Sequence, residues 1–139
     1  MRYLAIDYGT KSTGLAICDP SETIVSPLAV LSSGKDLVAK ILEFIKTEPV
    51  SAVVFGLPLN MDGTVGNQAK IVQDFADKLK KMVAVPIYFQ DERLSTFAAE
   101  GKLRAADLTR KKKRRRLDAV AAAEILQAFL DSKRLTQGK

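Results

Sequence analysis

The spacing of hydrophobic residues changes along this chain, and the change comes after Leu31. Up to that point, short apolar runs are separated by turn residues such as Gly9 and Pro20, a pattern typical of antiparallel strands joined by tight turns. The pattern predicts three strands, which cover Arg2–Asp7, Thr13–Cys18 and Ile24–Leu31.

After Leu31, apolar residues recur mostly every three or four positions, which is the period of an amphipathic helix. The first such segment runs from Leu37 to Ile45, with Ser33 as its predicted N-cap. Further helices are predicted from Ile71 to Leu79, from Ser95 to about Ala106, and from about Arg115 to Ser132. Strands four and five are predicted at Ser51–Gly56 and Pro86–Gln90.

The order of these elements, β-β-β-α-β-α-β-α-α, predicts a single α/β domain over residues 1–139. Strands four and five each follow a helix, so we expect each to lie parallel to a neighbour through a right-handed crossover. A three-stranded meander extended in this way becomes a mixed five-stranded sheet of order 3-2-1-4-5, with helices on both faces. This is the RNase H-like arrangement, in which the first strand lies centrally beside the fourth.

The formal net charge is +6, and it is concentrated in one segment. Seven adjacent cations run from Arg110 to Arg116, and the rest of the chain is close to neutral. Such a segment attracts polyphosphate backbones at long range, which favours a nucleic-acid partner. For the run taken alone, a solvated loop without a partner or a targeting signal is the alternative.

Residue types that are rare or absent exclude several classes of chemistry. The chain has no histidine, which removes the commonest general base and zinc ligand and excludes a Ser-His-Asp triad. Its one cysteine, Cys18, cannot form a disulfide within the chain and fits a reducing compartment. No signal-peptide pattern occurs, and no apolar run approaches the ~20 residues of a membrane helix. We therefore expect a cytoplasmic protein with no membrane partner.

Acidic residues fall at the ends of three predicted elements. Asp7 ends the first strand, where an acid loses hydration unless it meets a cation, a metal ion or hydrogen-bond donors. Asp91 and Glu92 close the fifth strand, and alternation sends them to opposite faces, so only one is expected to point into a shared site. Asp118 lies in the first turn of the last predicted helix, before alanines that would let this helix pack close to the sheet.

Each of these acids also has a purely structural interpretation. Asp7 suits a turn, and Asp91 or Ser95 can cap the helix that follows. A negative charge such as that of Asp118 is favoured near the start of a helix by the helix dipole.

The loop Gly56–Thr64, which follows the fourth strand, is open to two interpretations. Asn60, Asp62 and Thr64 could touch phosphate, sugar or a hydrated metal ion. Alternatively, Asp62 and the glycine after it form an ordinary turn between a strand and a helix.

Three acids that meet at one edge of a sheet would repel one another unless they were protonated or neutralised by a divalent ion. Mg²⁺ prefers oxygen ligands and retained waters, and Mn²⁺ can replace it. Such ions activate water and stabilise the leaving oxygen during phosphodiester cleavage. A chain without histidine therefore has a workable route to hydrolysis.

Four segments together resemble the YqgF family, also called RuvX-type proteins, and they occur in the family's order across nearly the whole chain. The segments are Ala5–Ala16, Gly56–Thr64, Asp91–Thr96 and Asp118–Ala122. The resemblance implies an RNase H-like fold, and activity as a Holliday-junction resolvase or as a nuclease that matures the 5′ end of the 16S ribosomal RNA precursor. It also implies that Asp7, Glu92 and Asp118 are the catalytic and metal-binding acids, and the family pattern favours Glu92 over Asp91.

The chain departs from RNase H-like enzymes at large at the end of the fourth strand, and Ala121 and Ala122 leave no extra acid one turn after Asp118. It has no acid directly at the end of the fourth strand, where Gly56-Leu57-Pro58 stands. The second acid must then come from the fifth strand or from Asp62, which leaves the second metal ligand open.

Contacts to nucleic acid are expected from cations near the acids and from the basic run. The predicted contact residues are Lys11, Asn60, Arg93, Arg110, Lys111, Lys112, Lys113, Arg114, Arg115 and Arg116. Aromatic residues make up only 6% of the chain, so reading of backbone and shape is favoured over stacking on single-stranded bases.

The sequence therefore predicts a Mg²⁺-dependent endonuclease that acts on precursor ribosomal RNA, bare or in ribosomal particles, as a monomer or a homodimer. Cleavage of branched DNA and a non-catalytic RNA- or ribosome-binding module are the alternatives. A nucleotide-binding protein of the actin and sugar-kinase kind is a further one, because Asp7-Tyr8-Gly9-Thr10 resembles the first phosphate loop of those proteins.

Overall fold

The computed structural model describes residues 1–92 and 110–137, and within the last segment it describes the side chains of residues 119–135. The strands are β1 (Tyr3–Asp7), β2 (Ser12–Cys18), β3 (Val25–Ser32), β4 (Ala52–Leu57) and β5 (Ile87–Asp91). The helices of the described residues are α1 (Leu37–Thr47), α2 (Asn67–Lys80) and α3 (Arg110–Gln137). The predicted helix from Ser95 to about Ala106 falls outside the described residues.

The five strands form one mixed sheet of order β3-β2-β1-β4-β5, which confirms the predicted order. β1 pairs antiparallel with β2, and β2 antiparallel with β3, as expected for a meander. β4 lies parallel to both β1 and β5, as expected for strands that follow crossover helices. The carboxyl ends of β1, β4 and β5 therefore meet at one edge of the sheet.

Alternation along the strands divides the core into two layers. Leu4, Ile6 and Phe55 face the layer that contains α1 and α2, and all three are fully buried. Ala5 and Val54 face the opposite layer, which is covered by α3. The α3 side chains buried in this second layer are Ala121, Ala122, Ile125, Leu126 and Leu130.

The start of α1 differs from the prediction, because its N-cap is Asp36 and not Ser33. The N–H of Ser33 donates to the carbonyl of Lys11 at 2.9 Å, which prolongs the β2–β3 pairing. The hydroxyls of Ser33 and Thr13 lie 2.7 Å apart. Thr13 is completely buried, so its hydroxyl needs a hydrogen-bond partner, and Ser33 meets that need instead of capping the helix.

The last helix is longer than predicted, because α3 begins at Arg110 rather than near Arg115 and continues to Gln137. The basic run is therefore helical and does not precede the helix as a loop. Lysine and arginine are good helix formers, since their unbranched side chains lose little freedom in a helix. Asp118 consequently lies in the third turn, and the helix-dipole interpretation of this acid was wrong. No helix in the described part of the chain is both long enough and apolar enough to cross a bilayer.

The close approach of α3 to the sheet gives a prediction about stability. Ala122 is fully buried between α3 and the strands, so we expect Ala122→Leu to overpack this layer. The free energy of unfolding should fall by roughly 1–3 kcal/mol. Urea unfolding measures the change, with Ala128→Leu, at a partly exposed position of the same helix, as the matched control. Equal midpoints for the two variants would contradict the close packing.

Candidate active site

Asp7 ends β1 on the side of the sheet that α3 covers. Tyr3 and Ala5, which share the face of β1 with Asp7, belong to the α3 layer. The next residue, Tyr8, faces the other layer, where its ring stacks on that of Phe75 at 4.2 Å. The Asp7 carboxyl group is thus placed at the carboxyl edge of a central strand, beside the residues that α3 buries.

The two acids at the end of β5 lie on opposite faces, as predicted. Phe89 contacts Phe55 in the α1 and α2 layer, and Asp91 follows it two residues later on the same face. Tyr88 contacts Phe129 of α3, which places the alternate residues of β5 on the α3 face. The N–H of Glu92 donates to the carbonyl of Leu57, the β4 partner of Asp91, at 3.1 Å, so strand geometry continues to Glu92. Of the two acids, Glu92 therefore shares the face of Asp7.

The side chains of Asp7 and Glu92 are joined by a hydrogen bond. Glu92 is only 9% exposed, and burial is the largest cause that raises its pKa to about 8. The negative charge of Asp7, the hydrogen bond to Asp7 and the charge of Asp91 raise the pKa further. At neutral pH and without a cation, Glu92 holds the proton, and its hydroxyl donates to the Asp7 carboxylate.

Gly56 of β4 makes room for this pair. β4 lies between β1 and β5, so the Glu92 side chain has to cross β4 to reach Asp7. A Cβ built on Gly56 would lie 2.8 Å from Cγ and 2.9 Å from Cδ of Glu92, and closer still to Cδ1 of Ile125. Any side chain at position 56 would therefore occupy the space that Glu92 and Ile125 now fill.

The role of Gly56 was missed by the sequence analysis, which noted only that no acid stands there. A signal for it exists in the sequence. Gly56 ends an otherwise apolar strand segment, and a glycine within a strand often marks the close approach of another group.

The loop after β4 is held together by its own hydrogen bonds. Asn60 Nδ2 donates to Thr64 Oγ1 at 3.0 Å, and the N–H and hydroxyl of Thr64 donate to Asp62 Oδ1 at 3.0 and 2.6 Å. A Cβ on Gly66 would lie 2.8 Å from Asn60 Oδ1, so Asn60 packs directly on this backbone. Asn60 and Asp62 are exposed at the carboxyl edge of the sheet, and these contacts give the loop a defined shape.

Of the other predicted site residues, some are described with their side chains, some only by their backbone, and one not at all. Lys11 is exposed in the turn between β1 and β2. Asp118 is a backbone position of α3, four residues before Ala122, and its side chain lies outside the described ones, as do the side chains of Arg110–Arg116. Arg93 lies outside the described residues.

The donor set of the described pair fits a hard divalent cation. Two carboxyl groups in contact, one of them buried, stay together only by sharing a proton or by binding a positive ion. All of their donor atoms are oxygens, which Mg²⁺ and Mn²⁺ accept. Among the side chains that the structure describes, no cluster of three acids or thiols that could hold a metal ion occurs, and Asp118 is not among those side chains.

The sheet order and the paired acids at its carboxyl edge define an α/β protein of the RNase H-like class. Two solved structures share this fold over nearly the whole chain. RuvC from Thermus thermophilus, in complex with a Holliday junction substrate, matches with a TM-score of 0.58 and 16% identity over 98% of this chain and 97% of its own. The yeast mitochondrial Holliday junction resolvase Ydc2 matches with a TM-score of 0.59 and 9% identity over 98% of this chain and 80% of its own.

The chain belongs to the RuvX family, whose model is described as Holliday junction resolvase and matches residues 1–132. A relative from Roseiflexus sp. strain RS-1 is 42% identical over 135 residues, which are 96% of each chain. A relative from Bacillus thuringiensis strain Al Hakam is 40% identical over 137 residues, which are 96% of this chain and all of its own. Both relatives are provisionally named as pre-16S rRNA nucleases.

The raised pKa of Glu92 predicts how stability depends on pH in metal-free protein. Between the ordinary value of 4.5 and about 8, the folded protein holds a proton that the unfolded chain has lost. The free energy of unfolding should therefore fall as pH rises across this window. The total fall should be on the order of a few kcal/mol, as expected for a carboxyl group with its pKa raised this far.

The change Glu92→Gln should remove this pH dependence, since the amide is neutral at every pH. Urea unfolding in the presence of a chelator, at several values between pH 4.5 and pH 8.5, measures it. Glu43→Gln, at an exposed position of α1, is the matched control and should keep the wild-type slope. An unchanged slope in the Glu92 variant would show that this group does not hold the proton.

Proposed function

We propose that this protein is a metal-dependent endonuclease that hydrolyses phosphodiester bonds and acts on the precursor of 16S ribosomal RNA. The observation that carries the proposal is the buried contact between Asp7 and Glu92 at the carboxyl edge of the sheet. Two relatives at 40 and 42% identity whose names state this activity support the choice of substrate.

Asp7, Glu92 and Asp118 are the proposed catalytic residues and metal ligands, with Mg²⁺ as the natural ion and Mn²⁺ as a substitute. A hard divalent ion bound there supplies an activated water and charge neutralisation at the leaving oxygen. Without the ion, Glu92 holds a proton against the Asp7 carboxylate. As a metal ligand, Glu92 would have to be a carboxylate, and the burial that raises its pKa would then strengthen its attraction for a cation.

The helix α3 links the proposed binding segment to the site. Arg110–Arg116 make up its first two turns, and Asp118 follows two residues later on the same helix. A phosphate backbone bound along these turns would thus be directed to the acids by one continuous element. Lys11, Arg93 and Asn60 are proposed to add contacts, and the target in the cell is cytoplasmic precursor RNA, bare or within ribosomal particles.

Cleavage of four-way DNA junctions is a second candidate function, and the description of the family model as Holliday junction resolvase favours it. The acids would act alike on either substrate, because phosphate contacts carry no information on sequence or branching. Symmetric cleavage of a junction would require a homodimer, whereas maturation of one RNA end does not.

Asp7→Asn should abolish cleavage while leaving folding and nucleic-acid binding largely intact, because the amide removes a negative ligand without changing size. We expect a loss of at least about 100-fold in kcat, on the order seen for groups that act in the transition state. A parallel assay on precursor 16S ribosomal RNA and a four-way junction, with Mg²⁺ and with Mn²⁺, measures it. The control Asp77→Asn, at an exposed position of α2, should cleave like the wild type. Full cleavage activity of the Asp7 variant would contradict the assignment of Asp7 as a catalytic residue and metal ligand.

Replacing Arg114, Arg115 and Arg116 by glutamine should weaken nucleic-acid binding and leave kcat at saturating substrate largely unchanged. For every phosphate that the variant no longer neutralises, the slope of log K against log salt should become shallower by about 1. Titration of a labelled RNA at several salt concentrations measures the slope. Replacing Lys78, Lys80 and Lys81 removes the same charge from the end of α2 and is the matched control. Equal slopes for the two triple variants would contradict binding along α3.

A further inference from the structure

The second carboxylate of the pair comes from a strand that does not neighbour the first. β1 carries Asp7, β5 leads to Glu92, and β4 lies between them. Adjacent strands are about 4.8 Å apart, so the Glu92 side chain has to bridge roughly twice that distance together with Asp7. It can do so only if nothing projects from β4 on the same face.

The register places Gly56 at this point of β4. Ile6 pairs with Phe55 and Gly56 pairs with Gln90, so Gly56 is the next β4 position beside Asp7. Because Val54 faces the α3 layer, Gly56 two residues later faces it too. The space above Gly56 is filled by Cγ and Cδ of Glu92, which lie within 2.9 Å of a built Cβ.

We propose that Gly56 is the positioning residue that decides which strand supplies the second carboxylate. With glycine at position 56, the carboxyl group arrives from β5 across bare backbone. With an aspartate at position 56 and no long side chain at position 92, the carboxyl group would arrive from β4 in nearly the same place. The two positions are therefore alternative sources of one carboxylate, and they exclude each other. This inference rests on the proposed function, because it takes Glu92 as a metal ligand.

The distances support this exchange. The carboxyl carbon of an aspartate lies one bond of about 1.5 Å beyond Cβ, and a built Cβ of residue 56 lies 2.9 Å from the carboxyl carbon of Glu92. Glu92→Ala removes the Cγ and Cδ atoms that would collide with that Cβ. The remaining close contact of a Cβ at position 56 is then with Cδ1 of Ile125. Ile125→Val removes this one atom.

The experiment compares Glu92→Ala with the double variant Glu92→Ala/Gly56→Asp in the full-length protein. The first readout is the rise in melting temperature that Mn²⁺ causes, which needs neither substrate nor catalysis. Glu92→Ala should lose at least about tenfold in Mn²⁺ affinity, and with it most of the rise. The double variant should regain most of the rise. The control Glu92→Ala/Gly34→Asp adds the same charge where a Cβ meets no atom within 4 Å, and it should regain nothing.

A second comparison uses Gly56→Ala with Glu92 in place. The added Cβ would displace the Glu92 side chain, so this variant should lose the Mn²⁺-induced rise although every acid remains. Gly34→Ala is the matched control, and it should behave like the wild type. A full Mn²⁺ response in Gly56→Ala would overturn the positioning role.

A folded double variant that regains no Mn²⁺ response would also overturn the inference. If the double variant does not fold, the triple variant with Ile125→Val is measured in its place, and the same outcomes decide. Cleavage is the separate readout. Wild-type protein that binds Mn²⁺ but cuts neither RNA nor junction would refute the proposed function, while the Mn²⁺ measurements would still decide the role of Gly56.

Discussion

The contact of two carboxyl groups in a buried place is the constraint on which the rest of this structure depends. Asp7 and Glu92 would repel each other as anions, and Glu92 has lost nearly all its contact with water. The pair therefore persists only with a shared proton or a bound cation. Other features serve this contact: the parallel pairing of β4 with both neighbours, the bare backbone at Gly56 and the apolar cover by Ile125.

The helix α3 covers the face of the sheet on which Asp7 and Glu92 lie. Its alanines let the helix lie against the sheet, and Ile125 fills part of the space over Gly56, where the Glu92 side chain also lies. Near its carboxyl end, the helix contacts the amino end of β1 and the turn between β2 and β3. There, Lys133 Nζ donates to Tyr3 Oη at 2.7 Å and to Glu22 Oε1 at 2.9 Å. Contacts in the middle of the helix and near its carboxyl end thus hold it along its axis.

The sequence was sufficient for the order of the described elements and for the sheet, because periodicity and the handedness of crossovers leave few arrangements. Alternation separated Asp91 from Glu92 but could not choose between them, since the choice depends on which face α3 covers. The role of Ser33 depended on the burial of Thr13, and the space above Gly56 depended on packing between three elements. Such features are tertiary, so no local pattern specifies them. The start of α3 was missed because a run of cations was interpreted by charge and not by helix propensity.

The placement of that run has an electrostatic consequence. Arg110–Arg116 make up the first two turns of α3, and the first turn contains no acid. Like charges therefore lie together at the positive end of the helix dipole. Neighbours three and four positions apart also repel one another. Both effects oppose the helix in isolation, and both reverse when a polyanion neutralises the charges. Under the proposed function, a phosphate backbone bound along these turns would therefore stabilise the part of α3 that leads to Asp118.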